Sequence, residues 1–197
     1  MKLYTSVTSP FGRKCNMVAH VVGVIDQIEL VDPDYKNPEY LNINPLAKVP
    51  ALERDDGRVL LDSPVISAYL ASLGDTEKTH PQNGDAKWDA LHLEALADGV
   101  MDAGILVFME SFRSEKRQSK GWIDKQLGKM NAGLDVIEGL AADFGEDTNI
   151  GILSTAAALS WFEMRSVGED WRKGRPYLTS WMDRFSQNDF FKETGCD

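Results

Sequence analysis

Residues 45–66 constrain this chain more than any other stretch. They read Pro45-Leu46-Ala47-Lys48-Val49-Pro50-Ala51-Leu52, then Glu53-Arg54-Asp55-Asp56-Gly57, then Arg58-Val59-Leu60-Leu61-Asp62-Ser63-Pro64-Val65-Ile66. Pro50 opens a short apolar run. It has no amide hydrogen to give a strand ladder, so it suits the first position of a strand. Asp55-Asp56-Gly57 is a turn signal. A second apolar run, Val59 to Leu61, stops at Asp62-Ser63. Ser63 before Pro64 reads as a helix N-cap followed by proline at the first helical position. The order is therefore strand, turn, strand, helix start, with an acidic residue just ahead of the helix. Free amides at a helix start favour an anionic group, and Asp62 can hold an ammonium. A site that grips both groups side by side suits an amino acid or a small peptide. The Val49–Pro50 bond is expected to be cis, a form that only X-Pro bonds reach at modest cost. Beside a site it would free a neighbouring backbone amide to meet a ligand.

The N-terminus supplies what could be the other half. Lys2-Leu3-Tyr4-Thr5 is a strand candidate, and Thr8-Ser9-Pro10-Phe11-Gly12-Arg13-Lys14 turns into a helix. Pro10 is preset for the first helical position. Ser9 then points its hydroxyl at the helix N-terminus, where the dipole and free amides stabilise an anion such as a thiolate. The same serine also reads as an ordinary helix cap, and both roles stay open. Arg13 and Lys14 read as cover for the start of this helix, with Arg13 also able to steer an anionic peptide.

Composition narrows the class. The net charge of −10 argues against nucleic acid and anionic membranes, because phosphate binding needs a basic face. No apolar run approaches the roughly 20 residues of a membrane span. Met1 leads straight into a strand pattern, which does not resemble a signal peptide. Two cysteines, Cys15 and Cys196, cannot build a disulfide framework and suit a reducing cytoplasm. Cys196 falls in what reads as a loose tail, and Cys15 reads as a buried structural thiol. His20, His80 and His92 have no metal-ligand spacing, so no metal site is expected.

Residues 1–73 read strand, helix, strand, loop, strand, strand, helix. Cys15 to Val22 has near-helical spacing, with Gly23 as a C-cap. Gln27 to Val31 alternates as a strand, and Asn37 to Leu41 suggests one helical turn. Ile66, Tyr69, Leu70 and Leu73 share a helical stripe. Residues 74–86, rich in turn formers, read as a linker. From residue 87 to 197 the pattern is helical. Trp88, Leu91, Ala95, Leu96 and Val100 mark a long helix towards Met109. Trp122 to Leu140 makes a second, with Leu127, Met130, Leu134 and Ile137 on one face. Ile150 to Arg165 is apolar enough to be largely buried, and Tyr177 to Phe185 is a fourth helix. A strand-rich half followed by an all-helical half indicates two packed domains. Asp98 and Asp102, four apart, read as a solvated face, with a substrate cleft as the alternative. Phe108, Met109 and Trp161 read as core, although the first two could line an apolar pocket. Val65, Ala68, Leu93 and Met101 exceed what one core-facing stripe needs; they either finish the interdomain core or mark an interface.

Three motifs in order resemble the cytosolic glutathione transferases: Ser9-Pro10-Phe11, Asn44-Pro45-Leu46-Ala47-Lys48-Val49-Pro50 and Asp62-Ser63-Pro64-Val65-Ile66. The Ser-Pro-Phe form looks most like tau- and omega-type and bacterial members. The resemblance implies an α/β thioredoxin-like N-terminal domain plus an all-α C-terminal domain, with glutathione as co-substrate. It implies that the Val49 backbone pairs with the cysteinyl part of glutathione next to cis Pro50. Asp62 and Ser63 would hold the γ-glutamyl ammonium and carboxylate, and Lys48 would add a peptide contact. Ser9 would donate a hydrogen bond to the sulfur, lowering its pKa. The thiolate would then attack an electrophilic, apolar small molecule, with the gain coming from thiolate stabilisation and positioning. Thr8 and Tyr4 compete for the hydroxyl role, because other members of the family place theirs at similar points. The position of the thioredoxin dithiol falls on Ser9-Pro10-Phe11-Gly12 and holds no cysteine, which counts against a reductase. A glutathione-dependent lyase and a non-catalytic regulatory or interaction protein are the alternatives. A cytoplasmic homodimer is also implied. The family's buried central helix usually starts with Ser or Thr and has Asp three residues on. Here Asn149 and Ile152 stand at those points, so the capping box is incomplete.

Overall fold

The computed structural model describes residues 1–195, so Cys196 lies outside the described residues. The first half runs β1 (Lys2–Tyr4), α1 (Pro10–Val21), β2 (Glu29–Val31), α2 (Pro38–Ile43), β3 (Ala51–Glu53), β4 (Val59–Leu61) and α3 (Ser63–Ser72). The sheet order is β2-β1-β3-β4. β1 runs parallel to β2 and antiparallel to β3, and β3 is antiparallel to β4. Leu3 sits opposite Leu30 and Leu52, and both Leu3 and Leu52 are fully buried. The Asp55-Asp56-Gly57 turn joins β3 to β4 as expected. Gly57 takes φ +77°, a backbone conformation that a side chain would resist. The helices α1 and α3 pack on each other, and Met17 and Val18 of the first and Ile66 and Leu70 of the second are buried. At Gly12 any Cβ would fall 1.8 Å from the Thr5 hydroxyl oxygen, so the first turn of α1 sits hard against the end of β1.

The second half is α4 (Gly84–Ser111), α5 (Lys120–Ala141), α6 (Ile150–Arg165), α7 (Pro176–Phe185) and α8 (Asp189–Glu193). Helix α6 is the centre: Ile150 to Leu159 is buried without a break, wrapped by α4 and by α1 of the first half. The Asn149 side chain accepts from the Ile152 amide at 3.2 Å, so a cap exists although position 152 returns nothing.

Several expectations are corrected. The strand expected from Gln27 begins at Glu29; Gln27 instead ends a 3₁₀ turn, Ile25–Gln27, because β1 offers register partners only from Glu29 onward. The short helix α2 continues to Ile43. Helix α4 begins at Gly84, and α8 was not foreseen. Leu93 and Met101 belong to the core, whereas Val65 is 52% exposed and Ala68 is exposed on α3. On α4, Trp88 is 65% exposed; the buried face carries Ala90, Leu93, Ala97 and Val100. Trp161 is buried, Phe108 half-buried and Met109 exposed.

Candidate functional site

The sequence-selected residues gather around the N-termini of α1 and α3 and the loop before β3. Lys48, Val49, Pro50 and Asp62 line one cavity of about 340 Å³, together with Phe11, Asn44, Asp98 and Asp102. The Val49–Pro50 bond is cis. Ser63 lies between two residues of the cavity wall, Asp62 and Pro64. It is fully buried and its hydroxyl oxygen has no hydrogen-bond partner. Such an orphan costs free energy unless a ligand or water meets it.

Helix α3 opens differently from the expectation. Asp62, not Ser63, is the cap: its Oδ1 accepts from the Ser63 amide at 2.8 Å, and its carbonyl accepts from the Ile66 amide. Ser63 is already helical and Pro64 takes the second helical position. Aspartate caps a helix as well as serine does. Capping uses one carboxylate oxygen, Oδ1, and the residue also lines the cavity. Asp62 has φ 72°, where a non-glycine residue is held only by its surroundings.

Ser9 caps α1. Its hydroxyl oxygen accepts from the Gly12 amide at 3.1 Å, and the residue is 9% exposed. That bond uses a lone pair. Among the described residues no acceptor takes the hydroxyl hydrogen, so capping does not compete with donation to a sulfur. Ser9 and Thr8 line a second cavity, of about 380 Å³, with Val7, Pro10, Trp161, Met164 and Phe191. Thr8 presents its carbonyl to the Trp161 indole at 3.1 Å. Tyr4 is committed elsewhere: its hydroxyl donates to Glu53 at 2.8 Å, and burial followed by Glu53 pushes its pKa up to about 12.

Two charged groups differ from expectation. Lys14 does not cover a helix start; it is fully buried, with Nζ at 3.0 Å from Glu94 and 2.7 Å from Asp98. Burial opposes its charge, but Asp98 and Glu94 outweigh that and raise its pKa. Asp98 is therefore not part of a solvated face, whereas Asp102 is exposed as expected. Asp98 is turned to Lys14, and both aspartates line the first cavity, with Lys48 the cation on its rim. Burial, then the Asp98 carboxylate, raises the Asp102 pKa. Sequence spacing hinted at this wall, since residues four apart share a helix face. Arg13 ties α1 to α6 and α8, donating to the Ser160 hydroxyl at 2.7 Å and the Phe191 carbonyl at 2.8 Å. Cys15 is fully buried, and burial pushes its thiol up to about 12, so it is inert as a nucleophile.

Residues 8–73 match the N-terminal domain of glutathione S-transferases. Over 197 residues the chain is 32% identical to the uncharacterized GST-like protein YibF of Escherichia coli K12, covering 98% of each. It is 29% identical over 161 residues to maleylacetoacetate isomerase of Pseudomonas aeruginosa, covering 74% of this chain and 71% of that one. A glutathione transferase family member from Pseudomonas fluorescens Pf-5, with bound glutathione, superposes with a TM-score of 0.94 at 32% identity, over 100% of this chain and 98% of the other. A structure from the same source with bound S-(propanoic acid)-glutathione gives a TM-score of 0.88 at 33% identity, over 100% of each chain. A thioredoxin-like sheet carrying the cis Val49–Pro50 bond, an all-helical second half and a full-length relative all agree: this chain belongs to the cytosolic glutathione transferase family.

Proposed function

We propose that this chain is a glutathione transferase that conjugates the glutathione thiolate to an electrophilic, largely apolar small molecule. The observation that carries the reading is the cavity beside β3 and α3. Its wall carries the Asp62 carboxylate, and the next residue in the chain, Ser63, has a buried hydroxyl without a partner. In this reading Asp62 takes the γ-glutamyl ammonium, Ser63 takes its carboxylate, and the Val49 backbone pairs with the cysteinyl part. Lys48, exposed on the rim, meets a carboxylate of the peptide. Ser9 donates to the sulfur and holds it as thiolate. The second cavity, with Val7, Pro10, Met164 and Phe191 on its wall, receives the electrophile beside Ser9.

Support comes from the Pseudomonas fluorescens relative, seen with glutathione and with its S-propanoic acid adduct, a molecule in which the sulfur has already gained a carbon substituent. A second reading, a glutathione-dependent isomerase, has one observation in its favour, the likeness to maleylacetoacetate isomerase. Both readings use the same thiolate; they part at whether the C–S bond persists in the product. We further propose a cytoplasmic homodimer with a role in detoxification. Among the described residues no helix is long and apolar enough to cross a membrane.

Isothermal titration calorimetry with glutathione tests the binding half, and a small electrophile panel followed by mass spectrometry tests the chemistry. One-to-one binding with glutathione adducts in the product supports conjugation. Binding with isomerised product and no adduct transfers the case to the isomerase. No binding ends both readings.

A further inference from the structure

The carbonyl of Lys48 is held by two side chains at once. The Tyr40 hydroxyl donates to it at 2.5 Å and the Asn44 amide nitrogen at 2.7 Å. Both side chains belong to α2 and its C-cap, and both are buried, Tyr40 at 4% and Asn44 at 2% exposure. Asn44 also accepts from the Leu46 amide at 3.0 Å, so its oxygen and nitrogen are both committed and its orientation is fixed. The Tyr40 ring packs between Tyr4 of β1, at 5.5 Å between centroids, and Tyr35, at 6.0 Å. The loop from Asn44 to Pro50 is thus anchored to the sheet through one aromatic ring.

The consequence follows from peptide geometry. In a trans peptide unit the C=O and N–H point in opposite directions. The Lys48–Val49 unit is trans. Drawing its carbonyl inward to Tyr40 and Asn44 turns the Val49 N–H the other way. Among the described residues that N–H donates to nothing, and Val49 lines the cavity. We infer that Tyr40 and Asn44 are positioning residues for ligand binding: by clamping the Lys48 carbonyl they aim the Val49 amide into the cavity, where it meets a peptide carbonyl. This rests on the glutathione reading above, with the cysteinyl carbonyl as the acceptor.

The clamp needs both donors because the loop has little else to hold it. Leu46, Ala47 and Lys48 are exposed, and Ala47 takes φ 51°. Before the buried Pro50 this stretch has few apolar contacts, and a segment of that kind opens easily; the direction of the Val49 amide leans on these two bonds, beside the Ala47 amide's bond to the Asn44 carbonyl at 3.0 Å.

Two variants test it by calorimetry. Tyr40→Phe keeps the ring and removes only the hydroxyl. Asn44→Asp keeps the acceptor for Leu46 but sets a carboxylate against the Lys48 carbonyl. Each is expected to weaken glutathione binding by about three- to tenfold, the worth of one net hydrogen bond, with Asn44→Asp the larger. The decisive probe is a glutathione analogue whose cysteinyl carbonyl is reduced to methylene. It offers the Val49 amide no acceptor, so the variants should bind it as the unmodified chain does. Circular dichroism on each variant reports folding, and Tyr40→Phe, being nearly isosteric, carries the test if Asn44→Asp unfolds. Equal weakening for glutathione and the analogue would show a general loosening and overturn the inference. So would unchanged glutathione binding in both variants while the unmodified chain binds it. No glutathione binding by the unmodified chain overturns the functional reading and this inference together.

Discussion

Two side chains at the candidate site, Ser9 and Asp62, each cap a helix and also line a cavity. The Ser9 hydroxyl accepts from the Gly12 amide and still has its hydrogen to give. Ser9→Ala should therefore do two separable things. It should cost about 1 kcal/mol in urea unfolding, from the lost cap. It should also raise the apparent pKa of bound glutathione, read from thiolate absorbance against pH, and lower turnover far more than binding. If Thr8→Ala produces the pKa change and Ser9→Ala does not, the sulfur partner is one residue earlier. Asp62 likewise caps α3 through Oδ1 and lines the cavity. Asp62→Asn keeps a capping oxygen and removes the charge. It should weaken glutathione binding several-fold in calorimetry with a nearly unchanged unfolding midpoint; unchanged affinity would place the peptide elsewhere. The Ser9 cap was legible because Pro10 flags the helix start, whereas at α3 the cap falls on Asp62, one residue before the Ser63 that Pro64 suggested. Lys14 was not legible. Its partners lie 80 and 84 residues away, and no local pattern marks a lysine that will be buried by a distant carboxylate.

At the scale of elements, periodicity found what was long or sharply punctuated. Strand β4 and helix α6 have the bounds that the sequence suggested, because Gly57, Asp62 and Asn149 stop or start them chemically. Helix α8 was missed because its five residues are too few to show a period. The start of α4 was masked by turn formers that also open helices. The cap of α6 supplies one prediction. Asn149→Ala removes the bond to the Ile152 amide and should cost about 1 kcal/mol in chemical denaturation, with no companion carboxylate at 152 to take over. The segment feeding α6 supplies another. His80 lies half-buried beside Thr79, whose carbonyl accepts from the Ile150 amide at 2.7 Å. Burial, aided by the charge of Lys14, lowers the His80 pKa from 6.5 to about 4. The fold thus prefers neutral imidazole. Above pH 6.5 both folded and unfolded chains hold it neutral and it contributes nothing. As pH falls from 6.5 towards 4 only the unfolded chain takes up the proton, and stability drops. His80→Asn should flatten the stability–pH curve in that window; an unchanged slope would mean that the imidazole titrates freely in the fold.

At the scale of the whole molecule, the two halves meet through contacts that no reading of local pattern could supply. Lys14 reaches Glu94 and Asp98, Arg13 reaches Ser160 and Phe191, and the Trp161 indole reaches Thr8. Each joins α1 or the loop just before it to a helix of the second half, so the site is braced by the helical domain. What faces outward is less settled by packing. Val65 and Ala68, one turn apart on α3, are exposed, and so are Trp88 and Met109 on α4. Neighbouring apolar residues left in the open, such as Val65 and Ala68 on one face of α3, suit a surface that something covers. In the proposed homodimer the first half of one subunit covers the helical half of the other. Light scattering at micromolar concentration should then give about twice the 21.9 kDa chain mass. Val65→Glu should shift the population to monomer, because a buried unpaired carboxylate in an interface costs far more than the lost methyls. The circular dichroism spectrum should stay as it is, since Val65 faces away from the core. A chain that is monomeric without the substitution, yet still binds glutathione, would show that the outer face of α3 serves some other contact and that the site is complete within one subunit.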